Sequence, residues 1–229
     1  MPYRRPILLA VLAAVLAVPA GASAAPSVAF QRGCYLDTAV SPKANFTARG
    51  FPARSTVYVS LDGDALGTDR TNGAGMLTRS VPVPPHPGTD PESRHVLEIT
   101  DGTHAATAIL RATSHLATFA PTTGDPTKLK VRFSVFGMRV PSGGSTVFLH
   151  YVTPKGKLRK TVALGTPHGA CGHILRSQKR RLFPFAPSDG RWTLQFDTHR
   201  TYSKGRATSP FAWASIGTWI TLTTKTSVR

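Results

Sequence analysis

The chain has 229 residues, 28 Lys and Arg against 11 Asp and Glu, a net charge of +17 and only two cysteines. One apolar run, Ile7 to Val18, comes near membrane length, but its twelve residues fall short of the about 20 that a spanning helix needs. A bundle of several membrane-spanning helices is thereby excluded, as is a scaffold held together by many disulfides.

The first element in chain order reads as a secretory signal. Arg4 and Arg5 precede the apolar run, and Ala22-Ser23-Ala24 follows it as an A-x-A cleavage site. Residues 1–24 are expected to be a cleaved signal peptide, leaving a secreted, extracellular or cell-surface protein. The competing reading is an N-terminal membrane anchor.

Short alternating runs follow, broken by turn residues. Val57, Val59 and Leu61 share one face of a predicted strand, and Leu129, Val131, Phe133 and Val135 share another opposite Lys128, Lys130 and Arg132. Val147 and Leu149, then Trp192, Leu194 and Phe196, then the segment ending in Ile220, continue the period of two. Asp62-Gly63, Asn72-Gly73, Asp101-Gly102, Ser142-Gly143-Gly144 and Asp189-Gly190 fall between them as turns. No run of helical period follows the signal. The expectation is an all-β protein of antiparallel β-sandwiches, with Val57, Val59, Leu61, Val131, Phe133, Val147, Leu149, Trp192, Leu194, Phe196 and Ile220 in its core.

An internal repeat sets the organisation. Phe46 to Gly50, Ser55 to Val59, Leu66-Gly67-Thr68 and Gly75 recur in order as Phe133 to Gly137, Ser145 to Leu149, Leu164-Gly165-Thr166 and Gly172. HVLEITD (95–101) then faces WTLQFDT (192–198). Two copies of one β-domain are expected, at 25–113 and 114–229, with a linker near Arg111 to Pro126 where APTTGDP supplies turn residues.

The first copy, NFTARGFPARSTVYVSLDGDALGTDRTNGAGMLTRSVPVP followed by HVLEITDG, resembles the bacterial Ig-like repeats of secreted and surface proteins. The second copy is similar in layout to secreted Ig-like proteins. The resemblance implies two tandem Ig-like antiparallel β-sandwich domains and a non-enzymatic scaffold, and it leaves activity unspecified.

Charge divides the halves. Residues 25–113 carry eight Lys and Arg against eight Asp and Glu. Residues 114–229 carry eighteen against three, Asp125, Asp189 and Asp197. Lys155, Lys157, Arg159 and Lys160 sit around a predicted hairpin, and Arg176, Lys179, Arg180 and Arg181 follow Cys171. Such asymmetry points to an anionic partner, and outside a cell that means phosphate polymers, acidic lipids, acidic glycans or DNA. The plain alternative is that the charge keeps an exported protein in solution.

Cys171 sits in TPHGACGHILRSQKRRLFPF, between two histidines. In an exported chain the default for two cysteines is one disulfide, Cys34 with Cys171, and the other simple option is two thiols that do not pair with each other. The segment also resembles, imperfectly, the S/T-H-G-C motif of cell-wall L,D-transpeptidases. Here Pro167 separates Thr166 from His168 and Ala170 separates Gly169 from Cys171, which disturbs the backbone donors that such a nucleophile needs. A Cys-dependent, transpeptidase-like enzyme with His150 as an upstream base is the alternative function. His168, Cys171 and His173 as metal ligands lack an evident fourth partner. The sequence therefore leads to a non-catalytic exported protein, without cofactor or metal, that associates with an anionic envelope or extracellular polymer through its basic second half.

Overall fold

The computed structural model describes residues 25–37, 41–86, 90–138, 146–175 and 177–204, and the backbone of 213–220. The predicted signal at 1–24, the Ser142-Gly143-Gly144 turn, Ser145, Arg176 and the side chain of Ile220 lie outside the described residues. Among the described residues the protein is all-β, without a helix.

Alternation builds the strands. Along β3 (Lys43–Arg49), Ala44, Phe46 and Ala48 are buried while Lys43, Asn45 and Arg49 face solvent. The strand Lys130–Phe136, β10, repeats this with Val131, Phe133 and Val135 inside. Each buried phenylalanine removes enough apolar surface from water to stabilise by about 1.5–3 kcal/mol.

Four sheets result. In the first half, β1 (Ser27–Phe30), β3 and β6 (Leu77–Pro82) form one sheet in the order β1-β3-β6. Opposite lie β2 (Tyr35–Leu36), β8 (Ala105–Thr113), β7 (Ser93–Thr100), β4 (Thr56–Leu61) and β5 (Asp64–Arg70), in the order β2-β8-β7-β4-β5. In the second half, β9 (Leu116–Ala120), β10 and β13 (Arg180–Arg181) form a sheet in the order β13-β10-β9. Its partner holds β12 (Leu158–Gly165), β11 (Val147–Val152), β14 (Gly190–Asp197) and β15 (Trp213–Ile220), in the order β12-β11-β14-β15. Pairing is antiparallel except between the short β2 and β8, which run parallel.

The cores follow the sheets. Phe46, Val57, Val59, Leu61, Leu97 and Ile99 belong to one buried cluster, and Val131, Phe133, Val147, Leu149, Trp192, Leu194 and Phe196 to another. Every core residue predicted from the alternation is therefore buried wherever its side chain is described.

The internal repeat reappears as topology. Sheet order β1-β3-β6 in the first half has its counterpart in β9-β10-β13, and β8-β7-β4-β5 in β15-β14-β11-β12. The matched glycines also match in backbone: φ is 80° at Gly50 and 73° at Gly137, 112° at Gly67 and 134° at Gly165, 69° at Gly75 and 67° at Gly172. At Gly75 a Cβ would overlap the Phe51 carbonyl, so the site tolerates no side chain.

The connection between halves is shorter than the sequence reading placed it. β8 ends at Thr113 and β9 begins at Leu116, so Ser114 and His115 alone join them. APTTGDP instead links β9 to β10, two strands of the same sheet. Turn residues mark where a chain reverses, not which sheet the next strand enters.

A second covalent link accompanies the first. Cys34, just before β2, is disulfide-bonded to Cys171, with Cα atoms 5.1 Å apart and a sequence separation of 137. The surroundings are tight. A Cβ at Gly137 would lie 2.8 Å from the Ser114 carbonyl oxygen and 3.2 Å from Leu36 Cδ2. A crosslink closing so long a loop restricts the unfolded chain strongly. Replacing both cysteines by serine is expected to lower stability by about 2–5 kcal/mol, read as a shift in the urea midpoint. An unchanged midpoint would show that the bond contributes nothing to folding.

Candidate functional site

The Cys171 loop is a structural turn. His168 and His173 exchange both backbone hydrogen bonds at 2.8 Å, and the Met138 amide donates to the Gly172 carbonyl at 2.8 Å. The loop is thus fastened to the end of β10 and, through sulfur, to Cys34. The Cys171 sulfur, 1% exposed as a residue, is engaged in the disulfide and is not a free thiolate. Among the described residues no group of three His, Cys, Asp or Glu side chains is placed to hold a metal ion.

His150, considered from sequence as a base for Cys171, serves a different neighbourhood. It lies on the face of β11 opposite Leu149 and Tyr151. Its Nε2 faces two acceptors, Asp197 Oδ1 at 3.2 Å and the His199 carbonyl at 3.1 Å, so this nitrogen carries the proton. Nδ1 then accepts from the Thr161 hydroxyl at 2.8 Å when the ring is neutral. Gln195 Nε2 donates to Asp197 Oδ2 at 2.9 Å and to the Ser203 carbonyl at 3.1 Å. The Tyr202 ring lies 5.6 Å from that of His150. The segment 199–203 is thereby held over the outer face of the sheet. Sequence reasoning missed this network. Its signal was present as polar residues alternating with core residues, His150 beside Leu149 and Gln195 beside Leu194, but such a pattern normally means a solvated face.

The basic residues form the second feature. Register assigns each one. Tyr151 pairs with Lys160 and Val152 with Leu158, so Arg159 is the extra residue of a bulge in the edge strand β12. Bulges re-aim side chains. Arg159 is exposed, with its guanidinium carbon 5.5 Å from the Phe185 ring centroid. Phe185 packs against Tyr151 and Trp192, each at 5.4 Å between centroids. Lys155 and Lys157 are exposed on the β11–β12 turn, where the Thr153 amide donates to the Lys157 carbonyl at 2.9 Å.

The other cluster lies on the facing sheet. Arg180 pairs with Val131, whose side chain is core, and Arg181 pairs with Lys130, whose side chain is exposed. Arg180 therefore turns inward and Arg181 outward. Arg180 crosses the gap between sheets, and its Nη1 donates to the Ala163 carbonyl of β12 at 3.0 Å. Lys179 is exposed beside it, while Arg176 is outside the described residues. The two clusters predicted from sequence thus occupy the facing edges of the two sheets, joined by Arg180.

Little negative charge answers them. Asp125 lies 4.0 Å from Lys128, Asp197 is enclosed with His150, and Asp189 is exposed just before β14. Among the described residues, Lys155, Lys157, Arg159, Lys160, Lys179, Arg180 and Arg181 take part in no ion pair.

No protein family and no curated protein matches the chain. Solved structures do match, among them the crystal structure of a beta-glycosidase from Bacteroides vulgatus. Its identity is 14%, its TM-score 0.27, and the match covers 85% of this chain and 25% of that one. The chain spans about a quarter of the length of that neighbour.

Burial alone would raise the Asp197 carboxyl, but hydrogen bonds from His150, Gln195 and the His199 amide outweigh it and hold the group below its ordinary value. A depressed carboxyl stabilises the fold above the unfolded value, about 3.9, and loses that contribution as pH falls through its own lower value. Asp197→Asn is expected to cost about 1–3 kcal/mol at pH 7 and less in acid. Urea midpoints at neutral and acidic pH check this; a penalty that does not shrink in acid refutes it.

Proposed function

We propose that this is an exported, non-catalytic protein of two Ig-like sandwiches whose basic second half binds an anionic polymer of the cell envelope or its surroundings. One observation carries the reading: seven described cations gather along the facing sheet edges of the second half without an ion-pair partner among the described residues. Charge on an edge strand discourages sheet-to-sheet association, but Lys155, Lys157 and Lys179 lie outside the strands, where that structural use does not account for them.

Export is supported by the signal-like sequence at 1–24 and by the disulfide, a bond that persists in oxidising compartments. No helix among the described residues is long and apolar enough to cross a membrane. The Ig-like assignment is supported by the repeated strand order of the two halves.

Binding to poly(glycerol phosphate), followed as a function of salt, tests the proposal. Contacts to a polyanion release counterions, so affinity falls steeply as salt rises. The pair Lys157→Glu with Lys160→Glu is expected to weaken binding by about tenfold or more and to flatten the salt dependence. The control pair Lys43→Glu with Arg49→Glu changes net charge equally on the first sandwich and is expected to have a much smaller effect. Absence of binding at low salt, or equal losses in both pairs, would refute the reading.

A further inference from the structure

We infer that the seam between β12 and β13 is built to hold one tetrahedral oxyanion of phosphate type, with Arg180 as its fork and Tyr151 as a further donor. The inference rests on the proposed reading of this edge and names the chemical group that the edge recognises.

The Arg180 guanidinium is fixed at one end, where Nη1 donates to the Ala163 carbonyl at 3.0 Å. That leaves the Nε–Nη2 edge, which presents two parallel N–H groups and suits two oxygens on one centre. Its Nε is buried and has no partner among the described residues. The Tyr151 hydroxyl is in the same condition, on a side chain that is 0% exposed. Burial raises this phenol and keeps it protonated, hence a donor, against the smaller opposing effect of the Arg180 charge. A buried donor without an acceptor is costly, and two together call for a shared acceptor. Lys160, paired directly opposite Tyr151 on β12, adds an exposed cation at the same place.

The four strands around the seam supply no anion of their own. β10, β11, β12 and β13 contain neither Asp nor Glu. The first sandwich shows what is missing. There Arg79 of β6 pairs with Phe46 of β3, turns inward as Arg180 does, and donates through Nη2 to the Leu66 carbonyl of β5 at 3.0 Å. β6 and β5 hold the same places in sheet order as β13 and β12. Arg79, however, has Asp69 Oδ2 3.9 Å from its Nη1, a charge contact without a hydrogen bond. The same arginine bridge thus has its carboxylate built in on one side of the molecule and lacks one on the other. A water molecule satisfies a hydroxyl but leaves the guanidinium charge unanswered. The two donors come from β11 and β13, on different sheets, and a tetrahedral group can meet both where a planar carboxylate is satisfied by the guanidinium edge alone.

The test uses the mature protein with inorganic phosphate, acetate and poly(glycerol phosphate) as probes. Thermal unfolding at constant ionic strength is expected to shift upward with phosphate and not with acetate. Tyr151→Phe keeps every charge and Arg180→Lys keeps the charge while removing the fork. Each is expected to weaken phosphate binding by about tenfold. Tyr151→Phe needs no new packing, so it keeps the test decisive if Arg180→Lys folds poorly. Equal protection by acetate overturns the tetrahedral assignment. If both variants bind phosphate and the polymer as the parent does, the seam inference is overturned while the edge reading stands. If phosphate protects through Arg180 and Tyr151 but the polymer does not bind, the edge reading falls and the seam still holds its anion.

Discussion

The period of two along a strand is the constraint on which this molecule depends. Successive side chains point to opposite faces, so with one face of each sheet buried, each residue's side follows from its register. This is why Tyr151 enters the core while His150 joins the polar network behind it. It is also why Arg180 reaches across the sandwich while Arg181, one residue on, stands outside beside Lys130. A shift of one residue in β13 would exchange the two arginines and dissolve the bridge to Ala163.

The two halves apply the same strand order to different chemistry. β5 and β12 occupy corresponding edges, yet β5 carries Asp64 and Asp69 where β12 carries Arg159 and Lys160. The fold requires only that an edge strand be polar or irregular. Both edges meet that requirement, and each carries a bulge, at Leu66 in β5 and at Arg159 in β12. The sign of the charge is left free by folding and is therefore available for recognition.

Much of the fold was legible in the residues, for a physical reason. Val131, Phe133, Leu194 and Phe196 announce their faces by alternation alone, and the Asp62-Gly63 turn carries φ values of 54° and 88°, as a tight hairpin turn of the primed kind needs. The cysteine pairing was reachable by compartment and count. What was not legible depends on contacts distant in sequence. Ser114 and His115 as the connection could not be separated from APTTGDP, because both stretches look like loops. His150 and Asp197 are 47 residues apart, and nothing local says that the segment 199–203 covers them. The basic clusters were visible as composition, whereas the inward turn of Arg180 required the register with Val131.

The connection between the two halves has a consequence for how the protein responds to a protease. The halves are joined twice, by Ser114 and His115 along the backbone and by the Cys34–Cys171 bond beside it. A protease that cuts between β8 and β9 would sever one of two links in parallel. The nicked molecule would still migrate as one body until a reductant opened the second, and the basic half would not be shed by a single cleavage there.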